Sequence, residues 1–499
     1  MSLAELDIET LQAQFDSGAL TALSLTESFL ERIESVDRAG PTLRSVVEVN
    51  PDALEIAESL DRERAEKGPR GPLHGVPILL KDAIDTGDRM MTTGGSLALI
   101  GNIAAEDAFV AIQLRRAGAV LLGKTNMSEW GYVRASRACS GWSSRGGQTR
   151  NPYVLDRNPS GSSSGSAVAV AANLCTASIG AEVDGSVVRP ASINGIVGLK
   201  PTVGLVSRSG VMSVAEPQDT AGPMARSVSD LAIVLNALVG LDPRDPKSQD
   251  AAQHTAADYR SFLKPDALKG ARLGLARDLM GTHQGVDAVI EEAVSVLRHL
   301  GAEVVDPTNG SALPLFGEAE ATLFLYHLKA AFDAYLGSHP GGQVHSLDEL
   351  IAFNAAHAET VMPFFGQDFL EQVARMGDMN EPAYEAARLE CLRLSRTDGI
   401  DKVLAEHRLD AIIAPTDGMP AWTIDPVCGD RIQGGCSSPP AMAGYPHITV
   451  PAGYTHGLPV ALSFFAGAWQ DGLLLGYAYA FEQATRVRRP PQFLPSLEA

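Results

Sequence analysis

Apolar positions recur along this chain in two periods, one helical and one extended. Phe29, Ile33 and Val36 fall three and four residues apart, the spacing that lines one face of a helix. Ser24-Leu25-Thr26-Glu27, just before them, reads as a capping box whose side chains satisfy the free amides of a helix start. Further on, Asp107 is placed to cap a helix that ends at Gly118, and Ala119-Val120-Leu121-Leu122 follows as a short apolar strand. The same grammar returns where Val286, Val289, Ile290, Ala293, Val294, Leu297 and Leu300 form a stripe, Gly301 stops it, and Glu303-Val304-Val305 opens a strand. Ala411–Ala414, His447–Val450 and Val460–Phe465 are apolar runs of strand length.

Helices alternating with short apolar strands predict an α/β fold: a mixed, twisted sheet covered by helices on both faces. The stretch from Pro243 to about Asp258 is polar and rich in Asp, Pro and Ala, which suits a surface connection. From about Leu313 to His407 the helical pattern prevails without a clear strand, and the strand character after Ala411 implies that the C-terminal part completes the sheet. With no repeat and no flexible linker, the 499 residues read as one large domain. Its parts are N-terminal helices (1–65), a catalytic core (66–240), a mostly helical region that shapes the substrate pocket (241–407) and the sheet-completing part (408–490).

Composition narrows the function classes. A hydrophobic content of 45% is ample for a large core, and 20% charged residues argues against wholesale disorder. The net charge of −20 repels phosphate backbones, so no nucleic-acid partner is expected, and the basic run Arg486–Arg489 reads as a solvated helix end. No apolar stretch approaches the roughly 20 residues of a membrane span. The N-terminus has acids where a secretory signal needs bases. Five scattered cysteines without a C-x-x-C pair fit a reducing, cytoplasmic setting. Nothing in the sequence fixes the oligomeric state; a homodimer is one possibility.

Neither an H-E-x-x-H metal motif nor a G-K-[ST] phosphate loop nor a strand followed by G-x-G-x-x-G is present, so neither a metal nor a cofactor is expected. Three segments carry chemistry instead. Leu73 to Asp82 is an apolar run ending in Lys81-Asp82; most such lysines are solvated, but one buried at a strand end has a depressed pKa and serves as a base. Asn158 to Ser166 is a Gly/Ser-rich turn that passes straight into Ala167–Ala172, which argues against a linker. Gly180 to Ala191 contains Asp184-Gly185-Ser186, where consecutive amides around a glycine can converge on one point as an oxyanion hole.

In this order, the three segments resemble the amidase signature family. The likeness runs from about residue 5 to 490 and includes Gly123–Asn126, Gly195–Thr202, Asp219–Arg226 and Gly444-Tyr445-Pro446 with Gly457–Val460. Gly141 to Tyr153 adds a particular similarity to bacterial peptide amidases, which remove the C-terminal amide of peptides. The resemblance implies the amidase signature fold, and an amide hydrolase that works through an acyl-enzyme and releases ammonia. It implies Ser186 as nucleophile, Ser162 behind a cis peptide bond as proton relay, Lys81 as base, and the backbone amides of Val183, Asp184, Gly185 and Ser186 as oxyanion hole. The substrate would be a short peptide amide or related carboxamide, with water as second reactant.

Several positions depart from the family pattern. Ser160 and Ser164 stand at usual glycine positions, Asp184 replaces a glycine, and Val188 occupies the usual arginine position with Arg189 one residue later. Trp142, Tyr132 and Trp422 are candidate linings of an apolar pocket. Aryl amides, carbamates and esters suit the same chemistry, as does release of ammonia from glutamine by an amidotransferase subunit. Gly161-Ser162-Ser163-Ser164-Gly165 also matches the G-x-S-x-G elbow with Ser163 as nucleophile, although Val154–Pro159 is too polar and proline-broken for the strand an elbow needs. A binding protein on a decayed scaffold is a third reading, disfavoured because all three triad positions are filled.

Overall fold

The computed structural model describes residues 5–308 and 317–497. Eleven strands form one mixed sheet: β1 (Val46–Val49), β2 (Pro77–Lys81), β3 (Val120–Thr125), β4 (Ala177–Glu182), β5 (Val197–Lys200), β6 (Thr220–Ala225), β7 (Arg272–Leu275), β8 (Glu303–Val305), β9 (Ala411–Pro415), β10 (His447–Thr455) and β11 (Leu458–Phe465). Their spatial order is β1-β3-β2-β4-β6-β5-β10-β11-β9-β7-β8. β2 runs parallel to both β3 and β4, whereas β4 and β6 are antiparallel.

Every residue of β2, β3, β6 and β11 is buried, as strands covered on both faces must be. Two helix groups provide the cover. Ser164–Ala171 and Val188–Ile193 pack on each other and on the sheet, while Val228–Leu238 and Gln284–His299 each pack on Asp471–Thr485 and on the sheet. The main core joins Leu79, Leu121, Val168, Ile179 and Leu199 to Leu231, Ile290 and Phe464. The α/β reading and the single domain hold, and the C-terminal strands β9, β10 and β11 lie within this sheet.

Local details differ from the pattern-based expectation. The second helix (Ala22–Arg32) is capped by Thr21, and Ser24 is the reciprocating N3 residue of that capping box, one turn earlier than the sequence suggests. Asp107 caps nothing: its carboxylate accepts from the Gly87 amide at 2.8 Å and pairs with Arg115, and helix Phe109–Arg116 follows Ala108 without a side-chain cap. The N-terminal part contains β1 as well as helices, and the 241–407 part contributes β7 and β8. The 243–258 connection contains a short helix, Lys247–Ala251. The helical region is observed from Gly317 through His407; its expected start at Leu313 lies outside the described residues.

That region folds over the sheet around a hydrophobic cluster of its own, in which Leu325, Leu328, Phe332, Leu350 and Leu370 meet Leu99 and Trp130 of the core part. A polar clasp adds to it. Tyr335 at the end of helix Gly317–Ser338 donates to Asp85 at 3.0 Å, and His339 Nε2 lies 3.1 Å from the other carboxylate oxygen. Burial opposes charging of His339, but the hydrogen bond and charge of Asp85 outweigh it and raise its pKa. A base raised on folding stabilises below its unfolded pKa of about 6.5 and loses that contribution as pH climbs through the folded value. His339→Gln is therefore expected to lower stability by about 1 kcal/mol at pH 6 and by less at pH 9 in paired melting curves; an equal loss at both values would reject the ionic contribution.

Candidate active site

β2 and β4 are parallel neighbours with Leu80 in register with Ile179, so their C-terminal ends emerge side by side. Lys81 is the last residue of β2, and Ser186 lies just beyond the end of β4. The Gly/Ser segment crosses above them before helix Ser164–Ala171. It is pinned rather than loose. Ser164 Oγ donates to the Ser160 carbonyl at 2.5 Å, Ser160 N to Asn158 Oδ1 at 2.7 Å, and Asn194 Nδ2 to the Pro159 carbonyl at 2.8 Å. The Ser164 hydroxyl, bound to the Ser160 carbonyl, thus closes the turn on itself. Gly165 has to be glycine, since a Cβ there would stand 2.2 Å from the Ser45 carbonyl oxygen.

These constraints bring three side chains into one line. Lys81 Nζ donates to Ser162 Oγ at 2.7 Å, and Ser162 Oγ donates to Ser186 Oγ at 3.0 Å. The Gly161–Ser162 peptide bond is cis, as expected. Lys81 Nζ also donates to the Ala181 carbonyl at 2.9 Å and is 2% exposed. Burial lowers its pKa to about 7 against the opposing charges of Glu182 and Asp219, so a large neutral fraction exists near neutrality. Asp82, the next residue, is bound by the amides of Thr93 and Gly95 and by Arg145 Nη1 at 3.0 Å, which fixes the strand end that carries the lysine.

Ser163 is committed elsewhere. Its Oγ donates to the Ala181 carbonyl at 3.1 Å and accepts from the Ala181 amide at 3.2 Å. No strand precedes it, so the elbow geometry is absent.

The turn before Ser186 is organised by Glu182, a residue the motifs did not single out. Its carboxylate accepts from the amides of Gly185 (2.9 Å), Val187 (2.7 Å) and Val188 (3.0 Å). The Gly185 amide is thereby engaged, which leaves Val183, Asp184 and Ser186 as the remaining candidates of the four expected oxyanion donors. Gly185 itself has φ of 73°, and a Cβ there would stand 2.4 Å from Arg189 Cδ. Arg189 donates through Nε to Asp417 at 2.7 Å, so its charge is already matched. Asp219, which opens one of the segments that carry the resemblance but was given no role by it, accepts from the amides of Val214 and Ala215.

The three hydroxyl and amine groups open onto a cavity of about 420 Å³. Its walls include Met127, Trp130, Tyr132, Met212, Phe324 and Phe369. Of the aromatic residues proposed from sequence, Tyr132 lines it. Trp142 instead stacks under the guanidinium of Arg134 at 4.6 Å, and Trp422 is buried beside Tyr153 and donates to Asp430. Arg134 pairs with Glu129 and donates to the carbonyls of Val361 and Phe365, joining the cavity wall to the helical cover. Among the described residues no cluster of three His, Cys, Asp or Glu has the geometry to hold a metal, and no helix is long and apolar enough to cross a membrane.

Known proteins share this architecture. A family model described as Amidase matches residues 24–475. The native peptide amidase from Stenotrophomonas maltophilia is 49% identical with a TM-score of 0.93, over 98% of this chain and 99% of that one. A probable amidase of Arabidopsis thaliana is 40% identical over 99% of this chain and 92% of its own length. One subunit of a glutamyl-tRNA(Gln) amidotransferase, from Thermoanaerobacter pseudethanolicus, is 33% identical over 99% of this chain and 99% of its own length.

Proposed function

The chain belongs to the amidase signature family, a hydrolase acting on the carbon–nitrogen bond of amides, and on that premise we propose that it removes the C-terminal amide from short peptides by way of a Ser186 acyl-enzyme. The observation that carries this reading is the unbroken Lys81–Ser162–Ser186 chain opening onto an apolar cavity.

A serine hydroxyl is a weak nucleophile at its own pKa and needs an adjacent base. With Lys81 neutral, the two hydroxyl hydrogens rotate: Ser186 gives its proton to Ser162 as it attacks, and Ser162 passes its own to Lys81 Nζ. The negative oxygen of the tetrahedral intermediate meets the amides of Val183, Asp184 and Ser186. Collapse breaks the C–N bond, and the proton held on Lys81 returns through Ser162 to the leaving nitrogen, which departs as ammonia. Water then repeats the sequence on the ester, giving the free acid and restoring Ser186.

Two features favour a peptide amide over the alternatives. The aromatic and methionine walls suit an apolar side chain next to the scissile group. Glutamine carries an α-carboxylate that needs a cation, and Arg189 already pairs with Asp417. The five cysteines are all unpaired, which agrees with a reducing, cytoplasmic setting. Ammonia release is expected from C-terminally amidated dipeptides with apolar final residues, well above that from free glutamine or aryl amides, in a coupled ammonia assay. Turnover of glutamine alone would replace this reading with the amidotransferase one.

A further inference from the structure

Asp184, two residues before Ser186, departs from the family pattern and lines the cavity, and its surroundings contain a second carboxyl group. Ser438 Oγ donates to Asp184 Oδ2 at 2.5 Å. The other oxygen, Oδ1, is buried and has no partner among the conventional donors of the described residues. Glu320, on the first turn of helix Gly317–Ser338, is also buried, and its carboxyl lies within hydrogen-bonding reach of that of Asp184. Gln218 Nε2 donates to Glu320 Oε1 at 3.0 Å.

A buried carboxyl group and a half-buried one at this range do not both ionise cheaply, since each negative charge penalises the other. One retained proton turns the repulsion into an O–H···O⁻ hydrogen bond, among the stronger kinds. It also accounts for the lone Oδ1. Burial first, and then the charge of Asp184, push the Glu320 carboxyl well above its ordinary range, which makes Glu320 the holder of the proton.

We propose that Glu320 is a positioning residue: as a neutral acid it donates to Asp184, ties the helical cover to the turn that presents Ser186, and so holds the Asp184 amide on the oxyanion side. Phe324, one turn further along the same helix, lines the cavity, so the tie also sets that wall. Loss of the proton at high pH places two like charges face to face, and the helix and the turn are driven apart. The other ionisable groups near the pair are Glu182, Lys200, Arg189 and Cys436 around Asp184, and Cys391 beside Glu320. Arg189 is paired with Asp417, and burial holds both thiols near 12, outside the useful range. Lys200 is lowered to about 8 by burial and titrates within it, so the comparison has to isolate Glu320.

Glu320→Gln does this, because its amide still donates and cannot ionise. The proposal rests on Ser186 as nucleophile, and the two fail differently: turnover surviving Ser186→Ala would remove the premise. With that variant inactive, kcat and KM for an amidated dipeptide are measured from pH 6 to 10 for wild type, Glu320→Gln and Glu320→Ala. Wild type should decline on the alkaline side, and Glu320→Gln should keep near-normal kcat at pH 7.5 with that decline abolished or displaced upward. Glu320→Ala should lose roughly 10–100-fold in kcat, the scale of a misplaced reacting group, with KM little changed. An alkaline limb in Glu320→Gln that superimposes on wild type would overturn the proposal, as would a folded Glu320→Ala with normal kcat. Should the alanine variant not fold, the glutamine profile alone decides.

Discussion

Ser186→Ala is expected to cut amide turnover by a factor on the order of a million, the scale observed when a hydroxyl nucleophile is deleted from a catalytic triad, while Ser163→Ala stays within about tenfold of wild type, since it touches no reacting atom. The contrast is sharp because the two serines are neighbours in space: the Ser163 amide donates to the Ser186 carbonyl at 3.1 Å. Ser186 Oγ ends the hydrogen-bonded line from Lys81, whereas Ser163 Oγ spends both its bonds on the Ala181 backbone. Steady-state ammonia release by the two purified variants, each with a melting curve, makes the comparison. Equal losses in both, or a larger loss in Ser163→Ala, would move the nucleophile.

Lys81→Met is expected to lower turnover by at least ~10²–10⁴-fold, the range that general acid–base catalysis supplies, without loss of the fold. Methionine preserves the buried length of the chain, and removing a buried amine spares its desolvation. The titration gives an independent check. With burial lowering Lys81 to about 7, the neutral amine gains as pH rises through that value, so wild-type kcat/KM should climb on the acid side with a midpoint near 7. A rate flat from pH 5 to 9, or a folded Lys81→Met that turns over normally, would deny Lys81 the role of base.

The residues proposed to react were legible because each sits in a local motif: a lysine closing an apolar strand, a Gly/Ser turn entering a helix, an Asp-Gly-Ser after a strand. What arranges them was not. Glu182 holds three amides of the Ser186 turn, yet in the sequence it is one acid among many. Asp219, Asp417 and Glu320 act on residues 81, 189 and 184 from more than a hundred residues away, or across two strands, and no periodicity encodes that proximity. Helix starts failed for a different reason. Thr21 and Ser24 both have capping chemistry, and the choice between them rests on the Asp61 carboxylate, which binds the amides of Ala22 and Leu23. β1 was missed because its four residues pair with one neighbour across a bulge, too short for alternation to show.

The helical cover has its own apolar cluster, separate from the one beneath the reacting groups. The layer that walls the cavity can therefore be altered apart from the layer that carries Lys81, Ser162 and Ser186. Substitutions at Phe324 or Phe369, which line the cavity from this cover, are expected to reshape the chamber without touching Lys81, Ser162 or Ser186, provided the seams at Arg134 and Glu320 are kept. A new substrate can thus be sought by rewriting one layer while the other is left intact.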